Sequence, residues 1–363
     1  MGYVAVKGGR EAIENSLDFL EFLRSNGSLE PISIDQIKNE LHFLVDRVMS
    51  EGSLYSPDLA AIAIKQSAGD TFEAAFILRA YRSTLPRIGY STTSETKEIR
   101  LLRRISSAFK DVPGGQFLGP STDYSLRLLD FELLEEDSAK ARERFKRFLE
   151  KIPENIEIPE EFPKLIEILR KENFVVSKDI VTKDKELFDV TKNSLSFPSP
   201  RSATLQTMAR GETGGMLLLA YSNVRGYGVS HPTIGELRVG YIKFKIKHPF
   251  KDKEITFAEV LITEAELLSK ITKAEGEPKF QVGYGVCFGH NETKAISMAI
   301  LDIAMRAEKV MYPSEDQEFV LSHIDGIESM GFVNHFKLPH YVTFLSEFDR
   351  LRKSKKESIK NEI

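Results

Sequence analysis

The chain contains a single cysteine, Cys287, among its 363 residues. One thiol excludes an internal disulfide, an intrachain Cys-x-x-Cys zinc site, and the several thiolates that an iron-sulfur cluster requires from one chain. Any metal ion must therefore be held by histidine, aspartate or glutamate, or with ligands from another chain. Because Cys287 lies in an apolar, strand-like stretch, a buried and unreactive thiol is favoured over a nucleophile.

The sequence also lacks a long apolar run and an excess of positive charge. No segment reaches the roughly 18 consecutive apolar residues of a membrane-spanning helix, and the first residues show no basic-then-apolar signal pattern. We therefore expect a cytoplasmic protein with no membrane partner. The net charge of -4 provides no basic field for nucleic acid, so a nucleic-acid partner is not expected either.

The remaining composition is that of an ordinary soluble protein, with 41% hydrophobic and 29% charged residues. Helical periodicity dominates the first 110 residues. It predicts a helix over 11–24, one helix across 33–49 that opens with a Ser33 and Gln36 capping box, and further helices that begin at Ser56-Pro57 and at Asp70. Before them, YVAVK (3–7) predicts a short strand, and after them the proline- and glycine-rich segment 111–124 predicts an ordered, irregular loop.

Strand signals appear after Pro200. The apolar run MLLLAYS (216–222) predicts a buried strand, and ELRVGYIKFKIK (236–247) predicts a half-exposed strand that pairs with TFAEVLIT (256–263). A further strand, YGVCFG, leads into a helix that Asn291 would cap. The sequence thus predicts an α+β fold with a mostly helical N-terminal half and a mixed sheet-and-helix C-terminal half.

Changes in composition divide the chain into four regions. These are a mainly helical region 1–133, a charged helical insertion or linker 134–198, an α+β region 199–345 with a histidine pair, and a polar basic tail 346–363.

That pair, His335 and His340, lies in the segment GFVNHFKLPHYV. On a continuous helix the two rings would point about 140° apart, but Pro339 disfavours a helix and a turn could bring both imidazoles to one metal ion. Two nitrogens make half of a zinc coordination shell, so the rest would come from His323, Asp325, Glu328, water or a partner subunit. Two ordinary loop histidines are the alternative interpretation.

Several cations stand beside glycines in a way that suits phosphate groups. Arg201, Arg210 and Arg225 flank glycine-rich turns, and Lys294 lies in the first turn of a helix that follows the glycine-rich run 283–289. Arg210, Arg225 and Lys294 are therefore candidate phosphate ligands. Surface arginines beside turns explain the first pattern equally well, and glycines that ease a strand-to-helix turn are the favoured explanation of the second. His290 is interpreted as a neighbour of the helix cap.

Seven blocks spread in order along the chain together resemble the PhnI family, a subunit of the bacterial carbon-phosphorus lyase core complex. The blocks are YVAVKGG, LVDRVMSEG, LAAIAIKQSAGD, ILRAYRSTL, KDVPGGQFLGPSTDYSLRLLDF, RGYGVSHPTIGELRVGYI and GFVNHFKLPHYV. The region 134–198 does not match the family pattern, and neither Cys287 nor His290 belongs to it.

The resemblance implies a function in phosphonate catabolism. With companion subunits G, H and L, members displace adenine from ATP by methylphosphonate to give ribose 1-methylphosphonate 5-triphosphate, and alone they act as purine nucleoside triphosphate nucleosidases. The radical-SAM J subunit then breaks the carbon-phosphorus bond. In the family the two histidines of the H-x-K-L-P-H segment bind zinc at the contact with J, which supplies a cysteine. This implies zinc ligation by His335 and His340, and two copies of the chain within a hetero-oligomer.

Displacement at C1' passes through a cationic sugar, so a carboxylate near the ring is expected. The carboxylates in or near the matching blocks are Asp123, Asp130, Glu212, Glu236 and Glu264. Two other hypotheses stay open at this point. One is a non-catalytic scaffold that docks the J subunit and lends it two metal ligands, and the other is a self-contained zinc hydrolase.

Overall fold

The computed structural model describes residues 9–25, 30–152, 162–176, 188–226, 228, 231–274 and 277–361. Within these ranges the chain forms thirteen α-helices and one four-stranded antiparallel sheet, which confirms the predicted α+β class. The strand predicted at 3–7 lies outside the described residues. None of the described helices has both the length and the apolar character needed to cross a bilayer.

Among the described residues, five helices precede the first strand, four lie between the first and second strands, and four follow the last strand. They are α1 Gly9–Ser25, α2 Ile34–Glu40, α3 His42–Gly52, α4 Pro57–Gln66, α5 Thr71–Thr84, α6 Ser138–Leu149, α7 Leu165–Lys171, α8 Arg201–Arg210, α9 Thr213–Val224, α10 Glu292–Ala304, α11 Gln317–His323, α12 Gly326–Asn334 and α13 Tyr341–Asn361. The strands are β1 Arg100–Ile105, β2 Thr233–Lys247, β3 Glu254–Ala274 and β4 Glu277–Phe288.

The chain divides into two compact units, each assembled from separate stretches of sequence. Unit 1 comprises the described residues of Met1–Ile88, Leu187–Ser222 and Val310–Ile363, and unit 2 comprises those of Gly89–Glu186 and Asn223–Lys309. The four regions drawn from composition stay a prediction.

The core of unit 1 forms where α2, α3, α4 and α5 bury their apolar faces against one another. The predicted helix starts are confirmed: Gln36 N donates to Ser33 Oγ at 3.1 Å, Ser33 N donates to Gln36 Oε1 at 2.8 Å, and Asp70 caps α5. The single helix predicted across 33–49 is wrong, because the backbone leaves helical geometry at Leu41 (φ -110°, ψ 33°). The apolar stripe continues through this break, so periodicity alone does not reveal it.

The predicted strand at 216–222 is also wrong, since these residues lie in α9. Met216 and Ala220, four residues apart, are buried, whereas Leu218 and Tyr221 are more than half exposed. This is helical spacing with one buried face. A short apolar run carries no clear period, so its sequence alone does not distinguish a strand from a helix.

The region 134–198 contains two different kinds of helix. The charged helix α6 exposes all of its residues. By contrast, α7 buries Leu165, Ile166 and Leu169, and Ile166 and Leu169 pack with Leu268 and Val282 of the sheet. The region therefore includes a helix that packs in the core of unit 2.

Unit 2 is built on the sheet, whose strand order is β1-β2-β3-β4 with every neighbour antiparallel. The predicted pairing of β2 with β3 is confirmed, with Arg238 opposite Glu264 and Glu236 opposite Glu266. Successive residues point to opposite faces of a strand, so one face of the sheet carries these charges and the other faces α10.

Two glycines of β4 allow α10 to approach the sheet closely. A Cβ atom added at Gly285 would overlap the backbone oxygen of Ala295, and one added at Gly283 would overlap that of Ala299. Because the obstacle is backbone, it cannot move aside as a side chain would. Gly289, with φ of 72°, then makes the turn from β4 into α10. These glycines permit close packing and form the turn. This agrees with the interpretation that the glycine-rich run 283–289 eases a strand-to-helix turn.

We therefore expect Gly285→Ala to lower the free energy of unfolding by about 2 kcal/mol or more, because α10 must move away from the sheet. Urea unfolding followed by circular dichroism measures this change. The matched control is Gly331→Ala in α12, where an added Cβ meets nothing within 4 Å. A Gly285→Ala variant as stable as the Gly331→Ala variant would contradict the packing argument.

Candidate functional site

The histidine pair lies in the turn between α12 and α13. His335–Lys337 forms one 3-10 turn, Pro339 follows, and α13 begins at Tyr341. The ring centroids of His335 and His340 are 5.3 Å apart, at an interplanar angle of 62°. The turn geometry predicted for this segment is therefore present, and it places the two imidazoles side by side.

The hydrogen bonds of these rings fix which nitrogen is open. Nδ1 of His340 lies 2.6 Å from the carbonyl oxygen of Leu338, and Nδ1 of His335 contacts the carbonyl oxygen of Phe332. A carbonyl oxygen only accepts, so each Nδ1 carries the proton and each neutral ring keeps its lone pair on Nε2. Histidines that bind metals commonly have this arrangement, with the second nitrogen held by a carbonyl group.

The distance between the two rings matches that of two imidazoles on one tetrahedral zinc ion. Two imidazoles that share one such ion, with zinc-nitrogen bonds of about 2.0–2.1 Å, have ring centroids about 5 Å apart. Among the described residues no group of three or more His, Cys, Asp and Glu side chains could hold a metal ion. Asp325 and Glu328 lie at the opposite end of α12 from His335, and His323 belongs to α11. The self-contained zinc hydrolase thus has no third ligand within the part of the chain described.

The surroundings of the pair are apolar and exposed. Phe336 lies beside both imidazoles, with its ring centroid 4.3 Å from that of His335 in a tilted contact and 6.1 Å from that of His340 in a stacked one. Phe332 and Phe336 are each 64% exposed, and Leu338 and Tyr341 are exposed beside them. Aromatic side chains exposed around polar anchors are typical of surfaces that contact other proteins.

A second cluster, here called the sheet cluster, occupies the charged face of the sheet in unit 2. Its members are buried ionisable side chains from β1, β2, β3 and the residue before α7: Arg104, Lys164, Glu236, Arg238, Glu264 and Glu266. Three are cationic residues and three are acidic, so the charges can balance within the cluster.

Glu264 is the centre of the sheet cluster. Its Oε2 accepts from Arg238 Nη2 at 2.6 Å, and its Oε1 accepts from Lys164 Nζ and from the Tyr284 hydroxyl, each at 2.9 Å. Burial would raise the pKa of Glu264, but the charges of Arg238 and Lys164 outweigh it and lower the pKa to about 2. Burial, with the charge of Glu264 beside it, also raises the pKa of the Tyr284 hydroxyl well above its usual value. Glu264 is therefore a permanent anion that holds β2, β3, β4 and Lys164 together.

Glu266 is in the opposite electrostatic situation. Its Oε1 lies 2.8 Å from Lys164 Nζ, but Oε2 is buried without a hydrogen-bond partner among the described residues. Burial, together with the negative charge of Glu264, raises the pKa of Glu266 to about 7. The cluster therefore holds a proton at Glu266 that titrates near neutrality.

The other predicted carboxylates differ in how much bonding capacity they keep. Glu236 accepts from Arg104 Nε at 2.6 Å and from Leu165 N at 3.0 Å, which occupies both oxygens. Glu212, in unit 1, accepts from Gly214 N and Gly215 N at the start of α9 and from Arg47. Both are buried and committed to the fold.

Asp123 and Asp130 are the two exposed candidates. Asp130 caps a short 3-10 helix at Phe131–Glu135. Asp123 lies in the irregular loop 111–124 and pairs with Arg103, whose other side meets Glu292 at 2.6 Å. Hydrogen bonds from Ser121 and Arg103 lower the pKa of Asp123, although its side chain is 46% exposed. It is thus an accessible carboxylate that stays ionised.

The predicted phosphate ligands lie in different units. Arg210 ends α8 in unit 1, whereas Arg225 and Lys294 belong to unit 2. Arg225 is exposed, but Lys294 is fully buried in the first turn of α10. Arg201 begins α8, so a helix of ten residues separates it from Arg210. Cys287 is buried, as predicted, and His290 Nε2 lies 2.9 Å from Glu292 Oε1.

Sequence reasoning missed Lys164, Glu266 and Tyr284. A signal for Glu266 existed, because TEAEL places acids at alternate positions between apolar residues, and alternate positions share one face of a strand. Charges flanked in this way on a buried strand indicate an ion-pair layer. Lys164 gave no such signal, since its partners are about 100 residues away and only the fold brings them together.

The sequence that folds in this way matches a class of bacterial phosphonate metabolism proteins. The family profile described as "Bacterial phosphonate metabolism protein (PhnI)" matches residues 2–358, a range that includes 134–198 and so corrects the expectation that this region lies outside the family pattern. HtxH of Stutzerimonas stutzeri, named as a candidate C-P lyase subunit, is 50% identical over 359 residues, which cover 97% of this chain and 95% of that protein.

Two further relatives carry the name alpha-D-ribose 1-methylphosphonate 5-triphosphate synthase subunit PhnI. Those of Rhizobium meliloti and Escherichia coli are each 40% identical over 361 residues, which cover 98% of this chain and 95% and 99% of the two proteins. The chain therefore belongs to the PhnI family of bacterial phosphonate metabolism proteins.

The titration of Glu266 gives a testable pH dependence. Its folded pKa of about 7 lies above the ordinary value of 4.5, so its contribution to stability is complete below about pH 4.5 and is lost as pH rises through 7. Glu266→Gln cannot lose a proton. We expect the free energy of unfolding of wild type to fall relative to that of this variant between pH 5 and 8. The slope should be at most about 1.4 kcal/mol per pH unit.

Urea unfolding at several pH values measures that difference. Glu259→Gln serves as the control, because Glu259 lies on the same strand but is exposed and pairs with Arg100 at 3.4 Å. A stability difference between wild type and Glu266→Gln that stays constant from pH 5 to 8 would rule out a proton held at Glu266.

Proposed function

We propose that this chain, acting with companion G, H and L subunits, displaces adenine from ATP by methylphosphonate to give ribose 1-methylphosphonate 5-triphosphate. The observation that carries the proposal is 40% sequence identity, over 98% of this chain, to two proteins named as subunits of the synthase of that compound. The product keeps a 5-triphosphate and carries phosphonate at C1, which is the result of replacing the base of a nucleoside triphosphate. Alone, the chain would transfer the ribosyl group to water and act as a nucleosidase.

The reaction requires a negative charge close to a sugar that becomes cationic at C1'. Of the five carboxylates considered, Glu212, Glu236 and Glu264 are buried and already bonded on both oxygens. Asp123 is exposed and held ionised, and it lies in an ordered loop rich in glycine, which permits close approach of a ligand to the backbone. Asp130 is also exposed, but it is engaged in capping the 3-10 helix Phe131–Glu135, so we assign this task to Asp123.

Adenine release from ATP by the purified chain, followed by chromatography, tests both steps of the argument. We expect release above the spontaneous rate, and a loss of about 100-fold or more in Asp123→Asn because the charge near the sugar is removed. Asp130→Asn is the matched control, since asparagine also caps a helix and keeps the local fold. Equal rates for the two variants would remove Asp123 from the mechanism.

For the metal, the proposal is a zinc ion shared with the J subunit. His335 and His340 would supply Nε2 ligands, and the partner would complete the shell with a cysteine. When bound, zinc supplies a Lewis acid or a structural cross-link between the two chains. This chain's own contribution is to hold both rings in one turn, with Nδ1 of each fixed by a carbonyl oxygen.

Metal analysis of the assembled complex provides the test. His335→Ala and His340→Ala should each lose most of the zinc, because two imidazoles are half of the shell. His323→Ala is the control, since its Nδ1 is likewise bonded to a carbonyl oxygen, that of Phe319, and it lies in the preceding helix. Full zinc occupancy in both pair variants would contradict the proposal.

The exposed apolar turn around the histidines also favours a second candidate function. In that case the chain is a non-catalytic scaffold that docks the radical-SAM J subunit and contributes metal ligands. The two functions differ in the adenine assay, because a scaffold releases no base from ATP. Zinc content alone does not separate them.

A further inference from the structure

Four arginines come together in unit 1, at the end of α5 and the end of α8. They are Arg79, Arg82, Arg87 and Arg210. Arg79 is fully bonded: it donates to Asp325 Oδ2 at 2.6 Å, to the Glu51 carbonyl oxygen at 2.8 Å and to the Arg210 carbonyl oxygen at 2.7 Å. This last bond brings the C-terminal end of α8 against α5.

Arg87 also has an acidic partner, because its guanidinium donates to Asp189 Oδ2 at 2.7 Å and to Thr191 Oγ1 at 2.7 Å. Arg82 and Arg210 differ from these two. Within the described parts of the chain, neither guanidinium forms an ion pair or a hydrogen bond, and the Nε atom of Arg210 is buried without a partner. Thus, among the described residues, neither of these two cations has an anion or other acceptor in hydrogen-bonding contact.

The electrostatic consequence is visible at Arg82. Burial, followed by the positive charges of Arg210, Arg87 and Arg79, lowers the pKa of Arg82, and Asp189 opposes this only in part. Each of the two arginines stands in the last turn of its helix, where the partial negative charge of the helix end favours a cation. That effect is about 0.3–1 kcal/mol and supplies no acceptor for the buried Nε of Arg210.

We propose that Arg82 and Arg210 form an anion-binding site for a phosphate group of a polyphosphate chain. A tetrahedral phosphate offers several oxygens, so it can accept from both guanidinium groups at once and neutralise both charges. The proposal rests on the proposed function for its ligand class, the triphosphate of a nucleotide. It adds a second phosphate ligand, Arg82, to the predicted ligand Arg210. No glycine-rich turn beside Arg82 indicates this role in the sequence.

Calorimetric titration of the full chain with inorganic triphosphate and, separately, with ATP tests the site. Arg82→Gln and Arg210→Gln should each weaken triphosphate binding about tenfold or more. Arg142→Gln, at an exposed arginine of α6, is the control and should bind as wild type does. Without ligand, Arg82→Gln should melt no lower than wild type, because repulsion among the arginines is relieved. Triphosphate should raise the melting temperature of wild type but not that of Arg82→Gln.

The results separate this site from the proposed reaction. Weakened binding of both ligands in the two variants supports the site and its place in nucleotide binding. Weakened triphosphate binding in a chain that releases no adenine from ATP supports the site and removes the nucleosidase. Wild-type affinity in either variant, or no binding of triphosphate by the wild-type chain, overturns the inference.

Discussion

Pairing of Arg238 with Glu264 across β2 and β3 is the interaction on which the rest of unit 2 depends. Both side chains are about 1% exposed, and a charge buried that deeply is destabilising by several kcal/mol if its partner is removed. The pair can form only when the two residues are opposite each other, so it selects one register for the central strands. That register directs the apolar residues of both strands toward α10.

The same register also explains why the cluster contains a proton. Glu236 and Glu266 lie opposite each other in the strands that Arg238 and Glu264 align, so a second acid enters the layer beside Glu264. Lys164 reaches both Glu264 and Glu266, at 2.9 and 2.8 Å, and one ammonium group cannot fully compensate two carboxylates. Glu266 therefore keeps its proton to higher pH than an ordinary glutamate.

Unused bonding capacity separates the groups that we propose to bind other molecules from the groups that serve the fold. Both carboxylate oxygens of Glu212, Glu236 and Glu264 accept hydrogen bonds from other residues of the chain, so these side chains stabilise the fold. The Nε2 atoms of His335 and His340, the carboxylate of Asp123 and the guanidinium groups of Arg82 and Arg210 retain capacity for other molecules. This criterion needs coordinates, which is why five carboxylates that are equivalent in the sequence become distinguishable in the structure.

Features governed by neighbouring residues were predictable from the sequence. The capping box at Ser33, the cap at Asp70, the hairpin across His248 and the turn at Pro339 all follow from contacts within a few residues. Features set by distant residues were not. The helical state of 216–222 depends on what Met216 and Ala220 pack against, and the meeting of Arg82 with Arg210 joins segments more than 120 positions apart, which no local pattern encodes.

The unbroken register from Glu236 to Phe244, which matches Ala258 to Glu266, limits how this sequence can change over evolution. Insertion of one residue inside that stretch would turn each following side chain to the other face, bringing arginine and glutamate against α10 and leucine into the ionic layer. Homologous chains should therefore differ in length at the hairpin around 248–253 and in other loops, while the interior of β2 and β3 keeps a constant number of residues.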